Sequence, residues 1–205
     1  MFCSETVSAI SDAVLAVAGV TTAGVAIYGI KSWARELRGR ATFEVARSLA
    51  RATYKLRDAI RHARSSLIRV YEFPDDYDHE LRQRPPEVEA SAYAYIFTKR
   101  LAAVWTAHEE FDTQTLEAEA LWGSPIREKT DELRAHVRKL SAAAEAYIDN
   151  EASGKENFSS DRDFGRQIRS ELFASFGQSD NELSNFIAVA VRAIESELRP
   201  HLRQA

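Results

Sequence analysis

Eighteen consecutive residues without a charge, AVLAVAGVTTAGVAIYGI from Ala13 to Ile30, constrain this chain more than any other feature it has. At about 1.5 Å per residue they make a helix just short of a hydrocarbon core about 30 Å thick. Extending the segment back to residue 7 completes the crossing and places Asp12 near one interface. The pattern predicts a transmembrane helix over 7–30. Ala, Gly and Thr dominate it, so its insertion drive is weaker than that of a leucine-rich span, and a buried helix or an oligomer seam is the competing reading. Only Glu5 precedes the segment as a charge on that side of Asp12, with no Lys or Arg, which argues against a cleavable secretory signal.

Lys31, Arg35, Arg38 and Arg40 follow immediately. Positive flanks stay in the cytoplasm, so the N-terminus is expected outside and the body inside. These four residues are the candidate contacts with anionic lipid headgroups. Gly19 and Ala23 have the small-xxx-small spacing that lets two helix backbones approach, and they are the candidate homo-oligomer interface within the span. Cys3, the only cysteine, excludes an intrachain disulfide framework.

A chain of 205 residues has room for one domain of ordinary size. Its net charge of −4 hides a partition: residues 1–30 carry −2, residues 31–71 carry +8, and the remainder carries −10. Residues 31–71 contain no proline and show an apolar seam at Val45, Leu49, Ala52, Leu56, Ala59, Ala63, Leu67 and Val70, close to a heptad run. They are expected to form a basic juxtamembrane helix that packs into a bundle, with Arg47 to Arg64 paired against acidic helices. Pro74, Pro85 and Pro86 break the chain after it. The remaining bundle helices are expected over 86–203. One starts at Pro86 and carries Phe97, Leu101, Val104, His108, Phe111, Thr115, Ala118 and Trp122. Another is capped by Ser124 with Glu128, and carries Ile126, Leu133, Val137, Leu140, Ala144 and Tyr147. A short helix is expected near 161–176. The last is capped by Ser179 with Glu182, carries Leu183, Ile187, Ala190, Ile194 and Leu198, and ends near Pro200. The predicted fold is all-α, an N-terminal transmembrane helix continuing into an antiparallel four-helix-type bundle.

The stretches ELRGRATFEVARSLARATYKLRDAIRHARSS, residues 36–66, and EFDTQTLEAEALWG, residues 110–123, resemble an uncharacterised group of bacterial proteins with one N-terminal membrane span and a helical cytoplasmic portion. The resemblance covers about a fifth of the chain. It implies the architecture just described, and it brings no catalytic residues and no cofactor.

Motifs for chemistry are sparse. A carboxylate-bridged metal site wants Glu-x-x-His pairs, whereas Glu132 with His136 and His108 with Asp112 are each four apart. There is no G-x-S-x-G elbow and no glycine-rich phosphate loop. The −10 carried by the later helices disfavours a nucleic-acid partner. No cofactor and no catalytic residue is therefore expected. The function expected from the residues is a non-enzymatic, membrane-anchored scaffold, adaptor or regulatory subunit that recruits a protein partner. The alternative is an effector of the bacterial defence or toxin type that acts on the bilayer by oligomerising through its span.

Overall fold

The computed structural model describes residues 2–81, 84–174 and 181–203, and within the first helix the side chains of residues 2–14 and 16–18 fall outside the description. The described chain is all-helical, with six α-helices and no strand. They are α1 (Phe2–Ala63), α2 (Pro86–Trp122), α3 (Ser124–Ala152), α4 (Glu156–Ser160), α5 (Arg162–Leu172) and α6 (Glu182–Leu202).

The C-terminal part of α1 packs with α2, α3 and α6 in a four-helix bundle. In it α1 neighbours α2 and α6, and α3 neighbours the same two from the far corner. Cross-helix pairs fix the directions. Lys55 Nζ of α1 reaches Glu110 of α2 at 2.9 Å, and Arg134 Nε of α3 reaches Asp112 of α2 at 2.7 Å. Lys129 of α3 pairs with Glu197 of α6, and Arg64 beyond the end of α1 meets Ser184 at the start of α6. Each neighbouring pair is antiparallel.

The predicted stripes fill the core. Leu49, Ala52, Leu56 and Ala63 from α1 are buried, as are Phe97, Val104, Phe111, Thr115 and Ala118 from α2. From α3 and α6, Ile126, Leu133, Val137, Leu140, Ala144, Leu183, Ile187, Ala190, Ile194 and Leu198 are buried too. Each large aliphatic side chain so removed from water contributes about 1.5–3 kcal/mol, so the 3.6-residue spacing of these stripes is what selects a bundle.

Several local expectations are corrected. The seam of α1 stops at Ala63, and Leu67 and Val70 are exposed at 58% and 70%. There the backbone turns away: the Arg64 carbonyl accepts the Ala174 N–H at 2.8 Å, and Ser65 forms a parallel bridge with Ala174. The junction between α2 and α3 is Gly123, whose φ of 77° is the left-handed region that glycine enters without a Cβ penalty. Ser124 is the first residue of α3 and makes no capping hydrogen bond, so the Ser124–Glu128 capping box is absent. At α6 the cap is Asn181, whose side chain accepts from Ser184 N–H, while Ser179 lies outside the described residues. That helix continues through Pro200 to Leu202. Four basic residues of α1 find acids on their own helix: Arg40 with Glu36, Arg47 with Glu44, and Arg57 and Arg61 with Asp58. Among the described residues of α1, only Lys55 forms an ion pair with another helix.

Candidate functional site

The helix α1 runs unbroken for 62 residues, roughly 93 Å, and only its last third enters the bundle. Every residue from Gly19 to Ile30 is exposed, and the first buried side chain of α1 is Ala46. A Cβ added at Gly19, Gly24, Gly29 or Gly39 would meet nothing within 4 Å, so no other part of the described chain approaches this length of helix. Leu15, Val20, Val25, Ile27, Tyr28 and Ile30 are each more than half exposed. A helix that is apolar all round and stands free in water forgoes about 1.5–3 kcal/mol for each such side chain. Among the described residues no helix is long and apolar enough to cross a membrane, and the side chains of residues 7–14 and 16–18 of the predicted span fall outside the description.

Lys31, Arg35, Arg38 and Arg40 are all exposed and follow the apolar stretch as a collar. Arg40 Nη2 is 2.6 Å from Glu36 Oε1, whereas Lys31, Arg35 and Arg38 have no carboxylate within ion-pair distance among the described residues. Gly19 and Ala23 are exposed and share a face one turn apart. The structure also brings out Tyr28 and Trp33, exposed at 75% and 64% on either side of the boundary. Amphipathic rings collect at headgroup level in membrane proteins, and that tendency was the signal in the sequence that could have singled them out.

The opposite end of the bundle is sealed around Arg64, a residue the periodicity left unmarked. It is 2% exposed. Its Nε donates to the Glu171 carbonyl at 2.6 Å and its Nη2 to the Ser170 carbonyl at 2.9 Å and Asn181 Oδ1 at 2.7 Å. Nη1 donates to Ser184 Oγ at 2.9 Å. The guanidinium thus caps the last-turn carbonyls of α5, where the helix dipole is negative, and holds the N-cap of α6. Burial lowers its pKa to about 10, against which the nearby Glu171 charge raises it. Glu171, itself buried, takes Lys139 Nζ at 3.0 Å and Gln167 Nε2 at 2.9 Å.

Beside this clamp Arg100 of α2 fixes the segment after α1, donating to the Ser65 carbonyl at 2.6 Å, the Leu67 carbonyl at 2.8 Å and Glu72 Oε2 at 2.6 Å. The Arg100 hydrogen bond holds the Glu72 carboxyl below its usual range. An aromatic layer fills the interior at the same level, with Tyr147 touching Tyr93, Phe97, Phe158 and Phe173. Glu151, 4% exposed, lies at the C-terminal end of α3. Its Oε2 accepts no hydrogen bond, and Lys155 Nζ stands 3.6 Å away. Burial pushes its carboxyl pKa up.

The polar groups at this end are engaged in holding helices together. Among the described residues no three of His, Cys, Asp and Glu are grouped so as to hold a metal ion. His108 Nδ1 sits 3.3 Å from Asp112, which also holds Arg134, so that pair belongs to the α2–α3 contact. No family model, no curated protein and no solved structure gives a significant match to this chain.

Proposed function

We propose that this chain is a membrane-anchored scaffold or adaptor of the single-span bacterial type it resembles. In this reading residues 7–30 cross the inner membrane with the N-terminus outside. Lys31, Arg35, Arg38 and Arg40 lie at the cytoplasmic headgroups, and the bundle presents its surface to a protein partner. The observation that carries it is the unbroken exposure of residues 19–30 around the whole helix, ended by a basic collar. The collar is worth about 1 kcal/mol per basic residue near an anionic leaflet. The location supplies the mechanism: the span fixes where the bundle is held, and the stiff helix fixes how far from the bilayer it stands.

Alkaline carbonate extraction of membranes from cells making the full chain tests the anchor. Retention in the pellet is expected, and quantitative release into the supernatant refutes it. In the same membranes a thiol placed at Ser153, with Cys3 replaced by serine, is expected to resist an impermeant maleimide until detergent is added. Labelling of intact cells at position 153 would reverse the orientation.

A further inference from the structure

We propose that a second copy of this chain docks in parallel along one face of α1, through a seam formed by Gly19, Ala23, Ala26, Ile30, Trp33 and Leu37. The inference rests on the membrane reading above and names the partner of that helix. The six positions are spaced by four, three, four, three and four residues, the alternation that keeps one stripe of a helix facing a parallel neighbour. All six are exposed, and the three large ones are exposed at 65% for Ile30, 64% for Trp33 and 46% for Leu37. The bilayer accounts for the first four. It does not account for Leu37, which stands nearly two turns past Lys31 and belongs to the same stripe. A single partner surface that follows the helix out of the bilayer covers all six.

Two further placements fit a second copy. At 3.6 residues per turn, the bundle-facing stripe of Leu49, Leu56 and Ala63 lies about a third of a turn from the seam. The chain's own bundle therefore leaves the seam open to a neighbour's α1. By the same rotation Lys31, Arg35 and Arg38, which lack carboxylate partners, lie a third to almost half a turn away from the seam. Two collars brought together along the seam keep these charges on their outer sides. Arg40, the first charged residue to fall on the stripe after Gly19, is held by Glu36 of its own helix at 2.6 Å and marks where the seam ends. Glycine and alanine at 19, 23 and 26 allow close approach inside the bilayer, and the large side chains at 30, 33 and 37 fill a wider gap from its edge outward.

Cysteine cross-linking in isolated membranes tests the register, using the full chain with Cys3 replaced by serine. Single variants Ile30→Cys and Leu37→Cys are expected to give an oxidised dimer, and Lys31→Cys and Arg35→Cys, on the other side of the same helix, are expected to give little. Adding Gly19→Leu to Leu37→Cys should lower its dimer yield about tenfold, the factor that about 1.4 kcal/mol of lost association makes. Because a Cβ at Gly19 meets nothing within 4 Å, that substitution leaves the chain's own packing untouched. Equal cross-linking at all four positions, or none at Ile30 and Leu37, overturns the seam. Carbonate extraction of the same samples separates the two readings. Retention without cross-linking leaves the anchor and removes the dimer, and cross-linking with release leaves the dimer and removes the anchor.

Discussion

Arg64 offers the sharpest test of how the bundle is closed. Truncation to alanine abandons four acceptors: the Ser170 and Glu171 carbonyls, Asn181 Oδ1 and Ser184 Oγ. At about 1.5 kcal/mol each, the low end for bonds to a charged group, their loss destabilises the fold by about 6 kcal/mol. Against this stands the desolvation that the buried guanidinium no longer suffers. A depression from 12.5 to about 10 corresponds to about 3 kcal/mol. The net is about 3 kcal/mol, and at 2–4 °C per kcal/mol for a chain of this size Arg64→Ala should lower Tm by about 6–12 °C. Arg64→Lys should not restore it, because a point ammonium cannot reproduce a planar fork that meets four acceptors on two helices. Arg64→Met, which keeps the aliphatic stem, should fall between wild type and alanine. Thermal unfolding followed by circular dichroism in a mild detergent reads all three. An alanine variant melting within about 2 °C of wild type would show that these bonds contribute nothing net, and the account of the closed end would fail.

Glu151 should make stability fall with rising pH. Its folded pKa is raised, chiefly by burial, so its contribution is fully present below the ordinary carboxyl value and is lost as pH climbs through the raised one. Glu151→Gln should therefore melt higher than wild type at neutral pH, with the gap closing as the pH is lowered; a gap that widens on acidification would contradict the sign. The two glycines Gly165 and Gly39 should respond in opposite directions to alanine. A Cβ at Gly165 would lie 2.8 Å from Phe158 Cβ, a clash expected to destabilise by about 1–3 kcal/mol, whereas Gly39 is open on all sides and should gain about 1 kcal/mol of helix propensity. Melting of the paired variants decides, and a stabilising Gly165→Ala would refute the packing around Phe158.

The bundle was legible because its information is local and periodic. The stripes of α2, α3 and α6 repeat at helical spacing with few breakers, and most of their members are buried, with Leu101, His108, Trp122 and Tyr147 half-buried. The end of α1 was not legible, because Leu67 and Val70 continue the same spacing past the point where the helix stops. What stops it is long-range: Arg100 takes the Ser65 and Leu67 carbonyls, and the Arg64 backbone is tied to Ala174 more than a hundred residues on. Arg64 itself looked like one more cation on a basic helix. Its position four residues after buried Ile60, itself four after buried Leu56, was the available signal that it points inward. The expected pairing of the α1 arginines with acidic helices failed for a reason of entropy. Asp58, Glu44 and Glu36 lie within four residues of their arginines on an already formed helix, so local pairs need less ordering than cross-helix ones.

The two ends of the bundle differ in a way that bears on the proposed role. At the closed end Arg64, Arg100, Asn181 and Glu171 are tied to other parts of the chain, so these groups hold the bundle shut. At the other end α1 leaves as a helix without proline, and from Lys31 to Ala46, its first buried residue, it rises about 22 Å. On the proposed reading that length places the bundle nearly three Debye lengths from the headgroups, where lipid charge no longer acts on it. Recruitment then depends on what the bundle surface itself presents, and α2 exposes Trp105, Leu116 and Leu121. In a parallel pair the seam fixes the rotation of each α1. Because α1 continues without a break into the core, the same rotation fixes which way each α2 surface faces.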